Sequence, residues 1–197
     1  MKFLVTGASG FLGTPLLEEL SGAGHEWAAL SRSASGRPGF HSWPDPLRPP
    51  PQEALAGCDV AVHLAGEPVA QRWTKAVKQR IRSSRVDSTA TLVDVFSRMP
   101  KPPKTFVCAS AIGFYGDRGE ELLNEQSRPG TGFLPDTCVA WEREAARAAV
   151  LGIRVVLLRI GIVLGPGGGA LAKMLLPFRL GLGGRLASGR QWMSWIH

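Results

Sequence analysis

Gly7, Gly10 and Gly13 stand three apart in the run Gly7-Ala8-Ser9-Gly10-Phe11-Leu12-Gly13, directly behind the apolar stretch Phe3-Leu4-Val5. That residue type at that spacing suits one chemistry, the grip of a pyrophosphate. Glycine lets the chain turn tightly, lets its backbone approach phosphates with no Cβ in the way, and lets the next helix pack close to a sheet. The helix start adds free N–H groups and a partial positive charge. Flanked by a strand and a helix, the triplet reads as a dinucleotide-binding turn in preference to a purely structural one. A second group of interest is Leu30-Ser31-Arg32, closing the next apolar run. NAD-selective sites place an acid there for the ribose 2′-hydroxyl. Here a hydroxyl and a guanidinium stand instead, with Arg37 nearby. Arg32 can meet a 2′-phosphate with two charge-assisted hydrogen bonds, each worth roughly 1.5–3 kcal/mol. That selects NADP(H) over NAD(H); the plainer alternative is an exposed arginine at a strand end.

The elements that must hold these groups show in the hydrophobic pattern. Residues 3–5, 26–30, 60–64, 105–109 and 153–158 are short runs rich in Val, Leu, Ile and Ala, and read as buried strands. Between them, Phe11, Leu12, Leu16, Leu17 and Leu20 fall on one helical face stopped by Gly24, and a long helix is expected over 72–99, ended by Pro100, Pro102 and Pro103. Another runs over 136–151, with Asp136 as N-cap and Gly152 as stop, and a last one over 170–180. Residues 36–52 hold six prolines and two glycines and read as a surface loop. Strands alternating with helices, each strand apolar on both sides, predict a Rossmann-like doubly wound parallel sheet with helices on both faces, one domain over 1–197.

Composition narrows the field. With 44% apolar and 20% charged residues the chain is ordinary globular material, and its 24 glycines and 15 prolines carry no repeat period. The net charge of +7 permits an anionic partner. Six basic residues from Arg72 to Arg85 meet no acid between Glu67 and Asp87, yet only Trp73 interleaves them, so a solvated helix face is expected rather than a nucleic-acid surface. Gly165 to Lys173 lacks the G-K-[S/T] of a phosphate loop. His25, His41, His63 and His197 have no ligand spacing, so no metal is expected. Cys58, Cys108 and Cys138 are unclustered, which points to a reducing compartment without disulfides. The opening apolar run breaks at Gly7, too soon for a secretory core, and no run of 18 apolar residues offers a membrane span. A cytoplasmic protein is expected, its oligomeric state open, and the ending Ser194-Trp195-Ile196-His197 reads as cut rather than closed.

Several motifs together resemble the atypical, extended short-chain dehydrogenases of the epimerase-like type. They are the glycine triplet, Leu64-Ala65-Gly66-Glu67, Arg72-Trp73, Ser84-Arg85 and the run from Ala109 to Asp117. Trp141-Glu142, the run from Arg159 to Gly165 and the closing Gln191 to His197 complete the set, which spans the whole chain. Members of the sugar-nucleotide epimerase-like, NADP-binding subgroup are longer and carry a C-terminal substrate-binding portion, so the chain resembles their cofactor domain without it. The resemblance implies that Gly7, Gly10, Phe11, Leu12 and Gly13 hold the pyrophosphate, and that Ser31 and Arg32 hold the 2′-phosphate. It further implies that His63, Leu64 and Ala65 line the adenosine and inner ribose, and that Arg85 and Arg159 touch the cofactor. For those two arginines a helix-surface and a strand-end role compete.

The wider superfamily works with a Tyr-x-x-x-Lys pair, in which the ammonium lowers the pKa of the phenol that exchanges a proton with the reacting carbonyl. This chain has one tyrosine, Tyr115, and Gly119 stands four residues on; the stretch Thr137 to Glu142 offers neither phenol nor ammonium. Candidates for the missing acid are Ser110, which matches the superfamily's substrate-orienting serine, Tyr115, Asp117 and Glu142. Cys138 reads as a small buried hydrophobe rather than a nucleophile. Two functions follow as expectations: an NADP(H)-dependent oxidoreductase or epimerase-like protein acting on a small substrate, a sugar nucleotide being one candidate, or a non-catalytic NADP-binding scaffold or sensor with a protein partner, a role that some members of the resembled family link to cell division.

Overall fold

A computed structural model of the chain describes residues 1–33, 36–185 and 188–197. Lys2–Thr6 (β1) runs through the glycine turn into Gly13–Gly22 (α1), followed by Glu26–Ser31 (β2), Phe40–Ser42 (β3), Gln52–Leu55 (α2) and Val60–His63 (β4). Lys75–Ser83 (α3) and Val86–Phe96 (α4) lead to Thr105–Ala111 (β5), then Phe133–Ala146 (α5) and Arg154–Ile160 (β6). Ile162–Val163 (β7), Gly169–Arg179 (α6) and Trp195–Ile196 (β8) complete the order.

Six strands form one parallel sheet in the order β3-β2-β1-β4-β5-β6. The chain works outward from β1 to one edge, then returns to start again at β4, so the crossover direction reverses between β1 and β4. Such a reversal opens a crevice at the carboxyl ends of the two strands. Register sets its floor: Thr6, the last residue of β1, lies beside Leu30 of β2 and His63 of β4. Alternation along β1 sends Leu4 to one face and Val5 to the other. Val5, Ala29 and Val62 pack with Leu17 and Leu20 of α1, while Leu4, Leu30, Phe106 and Cys108 pack with Leu92 and Phe96 of α4 and Trp141 of α5. Phe106 has no exposed surface and meets Phe96 edge-on at 5.4 Å.

The structure redraws several expected boundaries. The helix expected over 72–99 begins at Lys75, where Thr74 Oγ1 accepts from the Val77 amide at 3.2 Å, and is split at Ser84-Arg85. The split follows from side chains competing for backbone groups. Ser84 Oγ donates to Ile81 O and accepts the Glu67 amide, and the Arg85 guanidinium donates to Glu67 O and Ile81 O. Asp136 is not the cap of α5, which starts three residues earlier behind Gly132 at φ +103°; Asp136 lies in its first turn, a favourable place for a carboxylate. The proline-rich loop over 36–52 contains β3, a three-residue edge strand between Pro38 and Pro44. Edge position tolerates flanking prolines because one side of the strand needs no hydrogen-bond partner. Phe11 and Leu12 precede α1 rather than sitting on its face. β7 and β8 pair in parallel as a separate two-stranded sheet that no sequence pattern announced.

Candidate functional site

The crevice is built first from what glycine omits. Gly7 turns at φ +68°, and its carbonyl accepts the Gly10 amide at 2.9 Å. A Cβ on Gly7 would stand 2.7 Å from Leu64 C, and one on Gly13 would stand 2.6 Å from Ala8 Cα. Backbone therefore touches backbone between the turn and the β4 end, and again between α1 and the turn. α1 carries no acidic residue in its first turn and no side-chain cap; Thr14 gives its N–H to Gly10 O and Pro15 has none, which leaves the Gly13 N–H for an anion. Ser31 and Arg32 follow Leu30 on the flank of the turn; Arg32 is exposed and makes no ion pair among the described residues. Arg37 instead lies 3.7 Å over the Phe40 ring.

Phe11 belongs to the turn, and the glycine run that does not match a phosphate loop packs against its ring. A Cβ on Gly165, Gly168 or Gly169 would come within 2.9 Å of its ring. Those glycines make room for the Phe11 ring, a role the spacing of the run could not disclose.

Below the crevice floor, His63 has no exposed surface and its ring points into the core. Thr6 Oγ1 lies 2.6 Å from His63 Nδ1, and His63 Nε2 lies 3.1 Å from Ser88 Oγ. Ser88 Oγ donates to Ser84 O at 2.7 Å, so it accepts from His63, which fixes the proton on Nε2. Thr6 Oγ1 then donates to Nδ1 and accepts the Ala65 amide at 3.2 Å. The chain works only with a neutral imidazole, and burial, with Arg85 adding to it, lowers the His63 pKa from 6.5 to about 3. His63 thus supports the Leu64-Ala65 backbone that faces Gly7; its ring does not line the crevice.

At the β5 and β6 ends the expected catalytic candidates are bound to one another. Ser110 Oγ donates to Glu142 Oε1 at 2.5 Å, and Arg159 Nε and Nη2 clamp the two Glu142 oxygens at 2.8 Å each. Arg159 Nη1 donates to Tyr115 OH at 2.9 Å and to Glu125 O at 3.1 Å, while Tyr115 OH donates to Asn124 O at 3.0 Å. The guanidinium also lies 3.5 Å over Phe114. Its bonds to Glu142 hold the Arg159 pKa above the ordinary arginine value. Both hydroxyl protons are already donated, that of Ser110 to Glu142 and that of Tyr115 to Asn124 O. It ties the 115–125 loop to β6, beside a cleft of about 1710 Å³ bordered by Leu12, Tyr115, Arg159, Trp192 and Trp195. Asp117 accepts the Gly119 amide in that loop.

Two side chains of α5 lie against the chain just beyond β5. Leu134 and Cys138, four apart on α5, flank Gly113 just beyond β5: a Cβ there would be 3.6 Å from Leu134 Cβ and 4.0 Å from Cys138 Sγ. The side chains that α5 presents there are a leucine and a thiol, neither a phenol nor an ammonium. Burial pushes the Cys138 pKa up, so the thiol is protonated. Leu134 escaped the sequence reading because the start of α5 was placed too late.

Arg85 differs from Arg159. Its hydrogen bonds, to Glu67 O at 3.0 Å, Ile81 O at 3.1 Å and Ser84 Oγ at 3.5 Å, all leave from Nη1. No carboxylate pairs with it among the described residues; Glu67 pairs with Arg80. The remaining basic run lies on the α3 surface, where Lys78 sits 5.3 Å from the Phe133 ring and 5.9 Å from that of Trp73. Among the described residues no group of three His, Cys, Asp or Glu could hold a metal ion, and no helix is long and apolar enough to cross a membrane.

A parallel sheet in this order, with a glycine turn at its switch point, defines the Rossmann class of dinucleotide-fold proteins. The chain belongs to the NAD dependent epimerase/dehydratase family, whose model matches residues 3–197. Human epimerase family protein SDR39U1 is 39% identical over 201 residues, covering 100% of this chain and 66% of its own length. The crystal structure of human SDR39U1 (isoform 2) with NADPH superposes with a TM-score of 0.84 at 36% identity, over 100% of this chain and 66% of that one. The nucleoside-diphosphate sugar epimerase from Corynebacterium glutamicum gives a TM-score of 0.86 at 38% identity, over 100% of this chain and 41% of its own. The chain thus spans about two thirds of the length of the curated relatives it matches.

Proposed function

We propose that the chain binds NADP(H) in the β1–β4 crevice, as the cofactor portion of an oxidoreductase or epimerase-like protein acting on a small substrate. The observation that carries this reading is the pair of positions, Gly7 and Gly13, where a Cβ would run into backbone. Gly7, Gly10, Phe11, Leu12 and Gly13 would hold the pyrophosphate, Ser31 and Arg32 the 2′-phosphate, and the Leu64-Ala65 backbone above His63 the inner ribose. Arg159 would border the nicotinamide end, held in place by Glu142. The human relative whose structure contains NADPH supports the phosphorylated form of the coenzyme. When bound, the coenzyme supplies or accepts a hydride. The chain's own residues supply orientation, and Ser110 and Tyr115 remain the candidate polar contacts for a substrate oxygen.

The test is a fluorescence titration with NADPH and NADH. The intact chain binds NADPH at least tenfold more tightly, and Arg32→Ala weakens NADPH about tenfold, the worth of one charge-assisted hydrogen bond at about 1.4 kcal/mol per decade. NADH binding changes less than twofold. Equal losses for both coenzymes overturn the assignment.

A second reading has its own observation. The lack of a Tyr-x-x-x-Lys pair, Tyr115 being followed four residues on by Gly119, favours a protein that holds NADP(H) as a sensor or scaffold for a protein partner. A carbonyl-substrate panel decides between them: tight NADPH binding without oxidation across the panel favours the sensor, and turnover abolished by Ser110→Ala or Tyr115→Phe favours the enzyme.

A further inference from the structure

The basic run of α3 divides into cations with partners and cations without. Arg80 pairs with Glu67, and Arg85 turns inward to donate to Glu67 O. Lys75, Lys78 and Arg82 meet no carboxylate and no hydrogen-bond acceptor among the described residues. They stand first, fourth and eighth in the helix and so share one face, while Val77 and Ile81 bury another.

That face does not simply stand in water. The Lys78 ammonium lies 5.3 Å from the Phe133 ring and 5.9 Å from the Trp73 ring, both inside the roughly 6 Å reach of a cation–π contact. The rings are themselves fixed. Trp73 meets Phe133 at 5.3 Å with the planes 68° apart, and Trp73 Nε1 donates to Val69 O at 2.8 Å. Even so, Trp73 keeps 41% of its surface exposed. Between the helix face and the rings lies a cavity of about 390 Å³ bordered by Trp73, Phe133, Lys75, Lys78, Gln79 and Arg82, none of them acidic. Small-molecule sites span about 300–1,000 Å³, so this one holds a single ring with one charged substituent.

We propose that this cavity binds an aryl or heterocyclic phosphate monoester, its ring against Trp73 and Phe133 and its phosphate on Lys75, Lys78 and Arg82. A phosphate monoester brings nearly two negative charges and three acceptor oxygens, which match three unpartnered cations. The Arg82 fork takes two oxygens together, and the ammonium groups are compact charges free to turn to the third. A carboxylate would leave one cation without an acceptor. Lys78 joins the two halves of the site, because the same ammonium touches both rings and faces the anion. None of the six residues belongs to the crevice assigned to the dinucleotide, so this site is independent of that reading and both ligands bind at once.

Phenyl phosphate, inorganic phosphate, phenol and benzoate are titrated calorimetrically into the full chain, with and without saturating NADP⁺. The parent binds one phenyl phosphate, about tenfold more tightly than any of the other three, and NADP⁺ leaves that affinity within twofold. Lys78→Gln and Arg82→Gln each weaken phenyl phosphate about tenfold, the worth of a charge-assisted hydrogen bond. Trp73→Leu removes the advantage of phenyl phosphate over inorganic phosphate, a stacking contact being worth about 1–3 kcal/mol, and leaves inorganic phosphate within twofold. No binding by the parent overturns the proposal, as does equal affinity for inorganic phosphate, which marks an unselective basic face, or for benzoate. Competition by NADP⁺ places the phosphate in the β1–β4 crevice and overturns it too. Where Trp73→Leu fails to fold by its melting curve, the two glutamine variants decide. A chain that binds phenyl phosphate but no NADP⁺ breaks the dinucleotide reading and leaves this one standing.

Discussion

The two sides of the crevice are built on opposite plans. At β1 and β4, recognition is done by backbone and by missing side chains: Gly7 and Gly13 bring main chain against main chain, and a buried threonine, histidine and serine hold the floor from below. At β5 and β6, side chains carry the structure, and Ser110, Glu142, Arg159 and Tyr115 consume one another's hydrogen bonds. The difference teaches that the two halves depend on different features of the sequence. The first rests on glycines and close main-chain contact. The second rests on particular charged and hydroxyl groups that must find one another across the fold.

The largest expected effect lies on the side-chain plan. Glu142→Ala strips the clamp from Arg159, whose side chain is only 19% exposed, and leaves Ser110 without its acceptor. Breaking a buried pair from one side costs about 3–5 kcal/mol, and chemical denaturation should show a loss at the lower end of that range because Arg159 keeps some solvent. NADPH affinity of the protein that remains folded stays within a few-fold of the parent. A loss under about 1 kcal/mol, in the range of a surface ion pair, would mean that the two sides are not built differently after all.

Gly7→Ala is the matching blow to the backbone plan. The left-handed conformation alone costs an alanine about 1–2 kcal/mol, and the new Cβ must displace Leu64 or Ala65, each under 3 Å away. NADPH binding should fall at least tenfold. If stability falls and affinity does not, the turn is only structural and the comparison fails on its stronger side.

How much of this could be read from the sequence divides along the same line. The glycine turn, the strands and the doubly wound order were legible because each depends on local spacing and on runs of apolar residues. Arg159 and Glu142 were visible only as separate candidates, since no local pattern says that residues 17 apart in sequence will clamp each other. Leu134 was hidden by a boundary: Asp136 reads as an N-cap, whereas a carboxylate and a proline are equally at home in the first turn, as Asp136 and Pro135 are here. The division at Ser84-Arg85 was illegible because the apolar positions of α3 and α4 keep a helical period across it, and what breaks the helix is a set of hydrogen bonds to Glu67 in a distant loop.

His63 offers a sharper test of the floor, smaller per step. Its folded pKa of about 3 lies below the ordinary 6.5, so on acidification the unfolded chain takes up this proton first. The stabilisation is complete above about pH 6.5 and is lost as pH falls from there toward 3, by up to about 1.4 kcal/mol for each pH unit. Urea unfolding between pH 7.5 and 4.5 should therefore show a stability slope that His63→Gln flattens by up to one proton. The same slope in both proteins would mean that His63 is not held neutral, and the hydrogen-bond chain from Ala65 to Ser84 would have to be redrawn.

The smallest effect is expected where a chemist would first look for a large one. Cys138 lies near the end of β5 with Arg85 and Arg159 within electrostatic reach, and a thiolate there would be a natural nucleophile. Two observations oppose that: the residue is only 5% exposed, and desolvation outweighs the nearby guanidinium groups, so its pKa rises. Cys138→Ala should therefore cost about 1 kcal/mol of stability, as for loss of a small buried group, and leave NADPH affinity within twofold. The folded protein should also react with iodoacetamide at pH 8 far more slowly at this position than the unfolded chain does. Rapid labelling of Cys138 in the folded protein, blocked by NADPH, would reverse the argument: the side-chain half of the crevice would then hold a reactive group after all, in a thiol rather than a phenol.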